Sequence, residues 1–101
     1  MPDLYLRKVH HAQARNNYRV ILKADGDEFE IGSIGVKTFT SSDVAWTWGV
    51  DTVVPMRAHE SEGRGKDRRD CMARFRAAWE RHCGEPGWLE EFLAMKRQAR
   101  R

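Results

Sequence analysis

Long apolar runs are missing from this sequence of 101 residues. No apolar segment approaches the roughly 18 residues that cross a membrane as a helix, and the first eight residues lack the basic-then-apolar order of a secretory signal peptide. Cysteine is also scarce, because Cys71 and Cys83 are the only two, which argues against a disulfide framework and suits a reducing compartment. We therefore expect a cytoplasmic protein that does not contact membranes.

Motifs that identify an enzyme or a cofactor site are missing as well. The sequence has no C-x-x-C pair, no H-E-x-x-H motif, no P-loop and no dinucleotide fingerprint. Cys71 and Cys83 lie on one predicted helix, about 18 Å apart along its axis, too far to share a metal. Ser61 lies near His59, but no nucleophile elbow surrounds it. We therefore expect no enzymatic activity, no metal and no cofactor.

Charge is plentiful but uneven. The net charge is +3, divided into −1 for residues 1–65 and +4 for residues 66–101. A basic end of a solvated helix, favoured by the helix dipole, is the simpler explanation. The alternative is a surface that binds the phosphates of a nucleic acid. The candidate nucleic-acid-binding residues are Arg68, Arg69, Arg76, Lys96, Arg97, Arg100 and Arg101.

The stretch V-A-W-T-W-G-V at residues 44–50 has the alternation of a strand and organises the predicted core. Trp46 and Trp48 lie on its bulky side with Val44 and Val50. Each indole brings roughly 150–250 Å² of surface to bury, worth at most about 4–6 kcal/mol. We expect Phe75 and Trp79 of a later helix to cover them. The alternative is an exposed aromatic platform that stacks on bases.

Three further strands are predicted over residues 4–9, 18–24 and 27–36, where apolar and polar residues alternate. Asp25-Gly26 is typical of a tight hairpin turn between the second and third. The apolar phase slips at Gly32-Ser33, which predicts a β-bulge there; close approach of a phosphate is the weaker alternative. Residues 37–43 and 56–65 are polar or glycine-rich, and we expect both to be loops.

Two helices are predicted after the strands. Residues 67–83 repeat apolar side chains at helical spacing, with Asp67 as N-cap and Gly84 as the stop. Residues 86–99 form the second helix, with Pro86 in its first turn. Its acids lie near the start and its cations near the end, as the helix dipole favours.

These elements predict one α+β domain over residues 1–101. A three- to four-stranded antiparallel meander packs on one long C-terminal helix, and a second helix closes an end or reaches outward. The core covers about residues 18–83 and the second helix about 86–99. The other sheet face is left open, and Tyr5, Val9, Ile21 and Phe39 are expected to form an apolar patch on it.

The W-T-W strand, the F-R-A-A-W helix and the E-I-G-S-I hairpin resemble those of a group of small uncharacterised bacterial proteins, over about residues 18–83. This resemblance implies a fold and no activity. The order of strands and helix is also similar to the DNA-binding domains of plant ethylene-response factors and phage integrases, whose sheets enter the major groove. The corresponding exposed positions here include Glu28 and Glu30, which phosphates would repel.

Two functions follow as hypotheses. The leading one is a small non-catalytic binding or interaction module, which associates with a protein partner or with itself through the open sheet face or the second helix. The alternative is a nucleic-acid-binding protein that uses the basic face of the C-terminal helices.

Overall fold

The computed structural model describes residues 3–9, 16–39, 43–54 and 61–100, which form an antiparallel sheet followed by two helices. The strands are β1 (Asp3–Lys8), β2 (Asn17–Ala24), β3 (Asp27–Thr38), β4 (Val44–Val50) and β5 (Glu62–Gly65), and the helices are α1 (Arg68–Cys83) and α2 (Trp88–Ala99). The sheet order is β1-β2-β3-β4-β5, so each strand pairs with its sequence neighbour. The expected α+β class and antiparallel meander are confirmed, with five strands instead of three or four.

The hairpin between β2 and β3 follows the sequence prediction closely. Asp25 and Gly26 both have positive φ, as the tight turn requires. The bulge is confirmed but lies one residue earlier than expected, because Val20 pairs with Gly32 while Ile21 pairs with Glu30. Ile31 is therefore the extra residue of β3.

Strand β5 was missed, because residues 56–65 were expected to form a loop. Its sequence, E-G-R-G, carries no apolar alternation. It pairs with β4 through Trp48 opposite Gly63 and Trp46 opposite Gly65. A side chain at Gly63 would press on the Trp48 indole, so small residues are needed where the strand passes beneath the core. Residues 56–60 of the expected loop lie outside the described residues.

The core lies between the sheet and α1. Trp48 is buried and meets Phe75 edge to face at 6.4 Å between ring centroids. Gly32 lies beneath Phe75, where a Cβ would overlap the phenyl ring. Covering of the strand by Phe75 is thus confirmed, but the expected burial of the whole β4 side is wrong. Trp46 is only half-buried, and Val44 is 57% exposed.

Helix α1 begins as predicted. Asp67 is the N-cap, and its carboxylate accepts the backbone N–H of Asp70 at 2.8 Å. On the predicted apolar side, Cys71, Phe75, Ala78 and Trp79 are buried, and so is His82, which stacks on Trp88 with 5.1 Å between centroids. Met72 and Cys83 are partly buried.

Helix α2 is part of the core and does not merely close an end. Trp79 of α1 packs edge to face against Trp88 at 5.3 Å and Phe92 at 5.2 Å. The aromatic partners of Trp79 therefore belong to α2, whereas Trp48 makes its ring contact with Phe75. The helix begins at Trp88, two residues after Pro86, because Gly87 has a φ of +79° and cannot continue a right-handed helix.

Candidate partner-binding site

Strand β1 forms one edge of the sheet, and nothing in the described part of the chain pairs with its outer side. The backbone N–H of Val9 donates to the carbonyl of Asn17 at 2.9 Å, which sets the alternation of the β1–β2 ladder. Odd-numbered residues of β1 therefore bond to β2. The N–H and C=O groups of Leu4, Leu6 and Lys8 point away from the sheet and are free to bond to an added strand.

Helix α1 crosses the side of the sheet that carries the helices: near its start Cys71 lies against Gly65 of β5, and its later residue Trp79 approaches Leu4 of β1. The guanidinium of Arg68 donates to the hydroxyl of Tyr18 at 3.0 Å and lies over its ring. Tyr18 is the register partner of Lys8, so the Arg68 guanidinium lies over β2, one strand in from the Lys8 end of β1. At the other end Trp79 lines a pocket together with Leu4.

This β1–α1 pocket has a volume of about 310 Å³ and a mainly apolar wall. Leu4, Trp79, Cys83 and Leu89 supply the apolar surface, while Arg76 and Glu80 supply the charges. Leu4 and Leu6 are only partly buried against the core, although their neighbours Val20 and Leu22 are fully buried. The sheet side that carries the helices is thus incompletely covered next to β1.

Cys83 gives the pocket a thiol. Burial raises its pKa to about 11, and the nearby carboxylates of Glu80 and Glu90 add to the effect. The thiol is therefore almost entirely protonated near neutral pH and is a poor nucleophile. It acts as an apolar wall group, and Cys71 is a second free thiol buried in the core.

The structure divides the seven cations predicted to bind nucleic acid into two groups, with Arg101 outside the described residues. Arg68, Arg69 and Arg76 belong to α1. Arg68 is held against Tyr18, whereas Arg69 and Arg76 are exposed and form no ion pair with described residues. These three are the part of the predicted set that remains accessible on one helix.

The α2 cations are engaged by carboxylates of the sheet. Lys96 contacts Asp51 at 2.6 Å, Arg97 lies 3.5 Å from Asp25, and Arg100 contacts Asp27 at 2.7 Å. Arg100 also donates to the backbone carbonyl of Glu28. Hydrogen bonds from the Glu28 backbone and from Arg100 hold the pKa of Asp27 below its usual range. The helix end that was expected to be solvated is instead anchored to the β2–β3 hairpin.

The open sheet face carries ion pairs where an apolar patch was expected. Ile21 is fully buried, and the hydroxyl of Tyr5 donates to Glu28, which also pairs with Arg7 at 3.1 Å. Phe39 is 46% exposed, but the guanidinium of Arg64 lies over it, with 3.9 Å between the guanidinium carbon and the centre of the phenyl ring. A mainly apolar pocket, the β1–α1 pocket, lies on the opposite side of the sheet.

The pocket residues were not singled out from the sequence. Leu4 and Leu6 share one side of the first predicted strand, and the first strand of a meander is always at an edge. That signal was present, but Leu89 and Cys83 could be placed beside Leu4 only once the packing of α2 on α1 was known.

The described ranges also bear on metal binding and on membrane insertion. They contain no group of three or more His, Cys, Asp or Glu side chains that could hold a metal ion, and no helix among them is both long and apolar enough to span a bilayer. No family model matches the chain, and neither a curated protein nor a solved structure matches it. The resemblance carried by the W-T-W and F-R-A-A-W segments stays a prediction.

Proposed function

We propose that the protein is a non-catalytic binding module that takes up an extended polypeptide segment along β1. The observation that carries this proposal is the β1–α1 pocket beside a strand edge with which no described residue pairs. Backbone groups of Leu4, Leu6 and Lys8 supply hydrogen bonds to the added strand, as in other cases of strand addition. The pocket supplies a place for one apolar side chain of the segment.

Charge favours a segment that also carries acids. The Arg68 guanidinium contacts Tyr18, the register partner of Lys8, and Arg76 lines the pocket. Glu80 is the one acidic side chain among the pocket-lining residues described. A segment with a carboxylate beside its apolar side chains therefore suits this surface.

Nuclear magnetic resonance tests the proposal with a synthetic hexapeptide in which leucine alternates with threonine and glutamate. We expect amide shift changes concentrated at Leu4, Leu6 and Lys8, with a matching change at the indole N–H of Trp79. The variant Leu4→Ser should weaken this response, while Val44→Ser, at an exposed position of β4, should leave it unchanged. A peptide without effect at millimolar concentration, or one that perturbs only residues remote from β1, would contradict the proposal.

Nucleic-acid binding through α1 is the second candidate. It is favoured by Arg69 and Arg76, which are exposed and form no ion pair with the described residues, on the helix that also carries Arg68. Three phosphate contacts predict that affinity for duplex DNA falls about 40-fold between about 50 and 200 mM salt. Fluorescence anisotropy with a labelled duplex measures this. The double variant Arg69→Glu, Arg76→Glu should abolish binding, and retention of binding by it would exclude the α1 surface.

A further inference from the structure

The edge of β1 is complementary to itself, and we propose that the segment added to it is β1 of a second copy of this chain. The two strands run antiparallel around a two-fold axis at Tyr5. This inference rests on the proposed function, because it names the occupant of the same site. It differs from the sequence expectation, which placed self-association on the open sheet face or on α2.

Backbone geometry limits the registers. A symmetric dimer places the same patch of both copies in contact, so the two β1 strands must be antiparallel. The outward N–H and C=O groups belong to the even-numbered residues. Even residues must therefore face even residues, and the axis must pass through a residue rather than between two. Tyr5 and Leu6 are the two middle residues of β1, so the axis is expected to pass through one of them.

Side-chain chemistry selects Tyr5. With the axis there, Leu4 of one copy faces Leu6 of the other, and both pairs lie on the side that carries the helices. On the open side, Asp3 faces Arg7 of the second copy. Asp3 forms no ion pair with the described residues, and the Arg7 guanidinium, already paired with Glu28, has donors to spare.

An axis at Leu6 fits poorly. It would place Leu4 opposite the charged Lys8 and Asp3 opposite Val9, so that the apolar and charged side chains are mismatched. The Tyr5 axis instead brings four leucines together beside the two pockets and places one tyrosine against the other, a favourable cross-strand aromatic pair. Since the strand has six residues, the interface is small, and we expect a weak dimer that forms with rising concentration.

Cysteine cross-linking tests the register directly. At a two-fold axis a residue faces its own copy, at a Cα separation that suits a disulfide. In a Cys83→Ser background, where only the buried Cys71 remains, Tyr5→Cys should form disulfide-linked dimers under mild oxidation. Leu6→Cys and Leu4→Cys should cross-link several-fold less. Stronger cross-linking of Leu6→Cys, or a Tyr5→Cys yield no higher than the background, would overturn the proposal.

Sedimentation velocity provides a second measurement on the unmodified chain. The dimer fraction should rise with protein concentration. Leu6→Glu should abolish the rise, because it places a carboxylate opposite Leu4, while Val44→Glu should preserve it. A native chain that stays monomeric to millimolar concentration overturns the self-pairing.

The two proposals fail in different ways. If the hexapeptide binds at Leu4 and Leu6 while Tyr5→Cys does not cross-link, the second copy is the wrong occupant and the binding module stands. If neither peptide binding nor cross-linking is observed, both proposals are wrong. Cross-linking at Tyr5 without peptide binding supports the pairing of two copies and contradicts the uptake of other segments.

Discussion

The carboxylate of Asp51 lies 2.6 Å from Nζ of Lys96, and this ion pair joins the end of β4 to α2. The same carboxylate accepts a hydrogen bond from Nη2 of Arg19, which comes from the open side of the sheet, also at 2.6 Å. Asp51 thus connects both sides of the sheet to the second helix. Only 23% of its side chain is exposed, so water screens these pairs less than the ion pairs of the outer surface.

We expect Asp51→Asn to lower the free energy of unfolding by about 1–3 kcal/mol, because two partly buried cations lose their charged partner. Urea denaturation followed by tryptophan fluorescence measures the change. Asp43→Asn is the matched control, since the Asp43–Arg64 pair is longer, at 3.6 Å, and about half exposed. Equal losses in the two variants would contradict the role given to Asp51.

Acid should weaken the fold through the same carboxylate. Burial raises the pKa of Asp51, but the hydrogen bonds and charges of Arg19 and Lys96 outweigh it and hold the pKa below the ordinary value of 3.8. A group with a lowered folded-state pKa stabilises the protein above its unfolded-state pKa, and this stabilisation is lost as the pH falls through the folded value. We therefore expect stability to decline below about pH 4.

Urea melts between about pH 7 and 2.5 test this expectation. Asp27, Glu28 and Asp70 also have lowered pKa values, so some decline should remain after Asp51→Asn. The variant should nevertheless lose less stability than the native chain over the acid range. Parallel pH profiles for the two chains would show that Asp51 does not contribute.

Local sequence signals predicted the strands and helices that have strong periodicity. The Asp25-Gly26 turn, the Trp46-Thr47-Trp48 alternation and the Asp67 N-cap each depend on neighbouring residues, so they are visible in the sequence. Strand β5 was not visible, because its glycines carry no pattern and it exists only by pairing with β4. The exposure of Val44 could not be predicted either, since it depends on how much of the sheet α1 covers.

The candidate site was harder to foresee. Tertiary placement decides whether a cation is accessible, and the Lys96, Arg97 and Arg100 cations are engaged by acids that lie 45 to 73 positions earlier in the chain. The pocket likewise unites Leu4 with Leu89, from opposite ends of the sequence. A pattern within one segment cannot predict contacts between residues so far apart in the sequence.

Trp79→Ala should lower the free energy of unfolding by about 3–5 kcal/mol, because it removes a buried indole between α1 and α2. The loss should exceed that of Val44→Ala, whose exposed side chain is worth at most about 0.5 kcal/mol. Denaturant melts of both variants measure the difference. A loss below about 1 kcal/mol for Trp79→Ala would mean that the aromatic cluster with Trp88 and Phe92 does not form.

Gly32→Ala should destabilise the chain by about 1–3 kcal/mol, because the added methyl would overlap the ring of Phe75 and the carbonyl of Gly49. Gly49→Ala is the matched control on the neighbouring strand. Its Cβ would lie 3.6 Å from Glu62 Cβ, an ordinary contact, so we expect a change within about 0.5 kcal/mol.

The cause of the Gly32 effect can be isolated with a double-mutant cycle. If the methyl group clashes with the phenyl ring, Phe75→Leu should relieve part of the Gly32→Ala loss, and the two changes should not be additive. Additive losses would mean that Gly32 is needed for its backbone and not for the approach of Phe75. A Gly32→Ala chain as stable as Gly49→Ala would place Phe75 elsewhere, and with it the packing of α1 on the bulged strand.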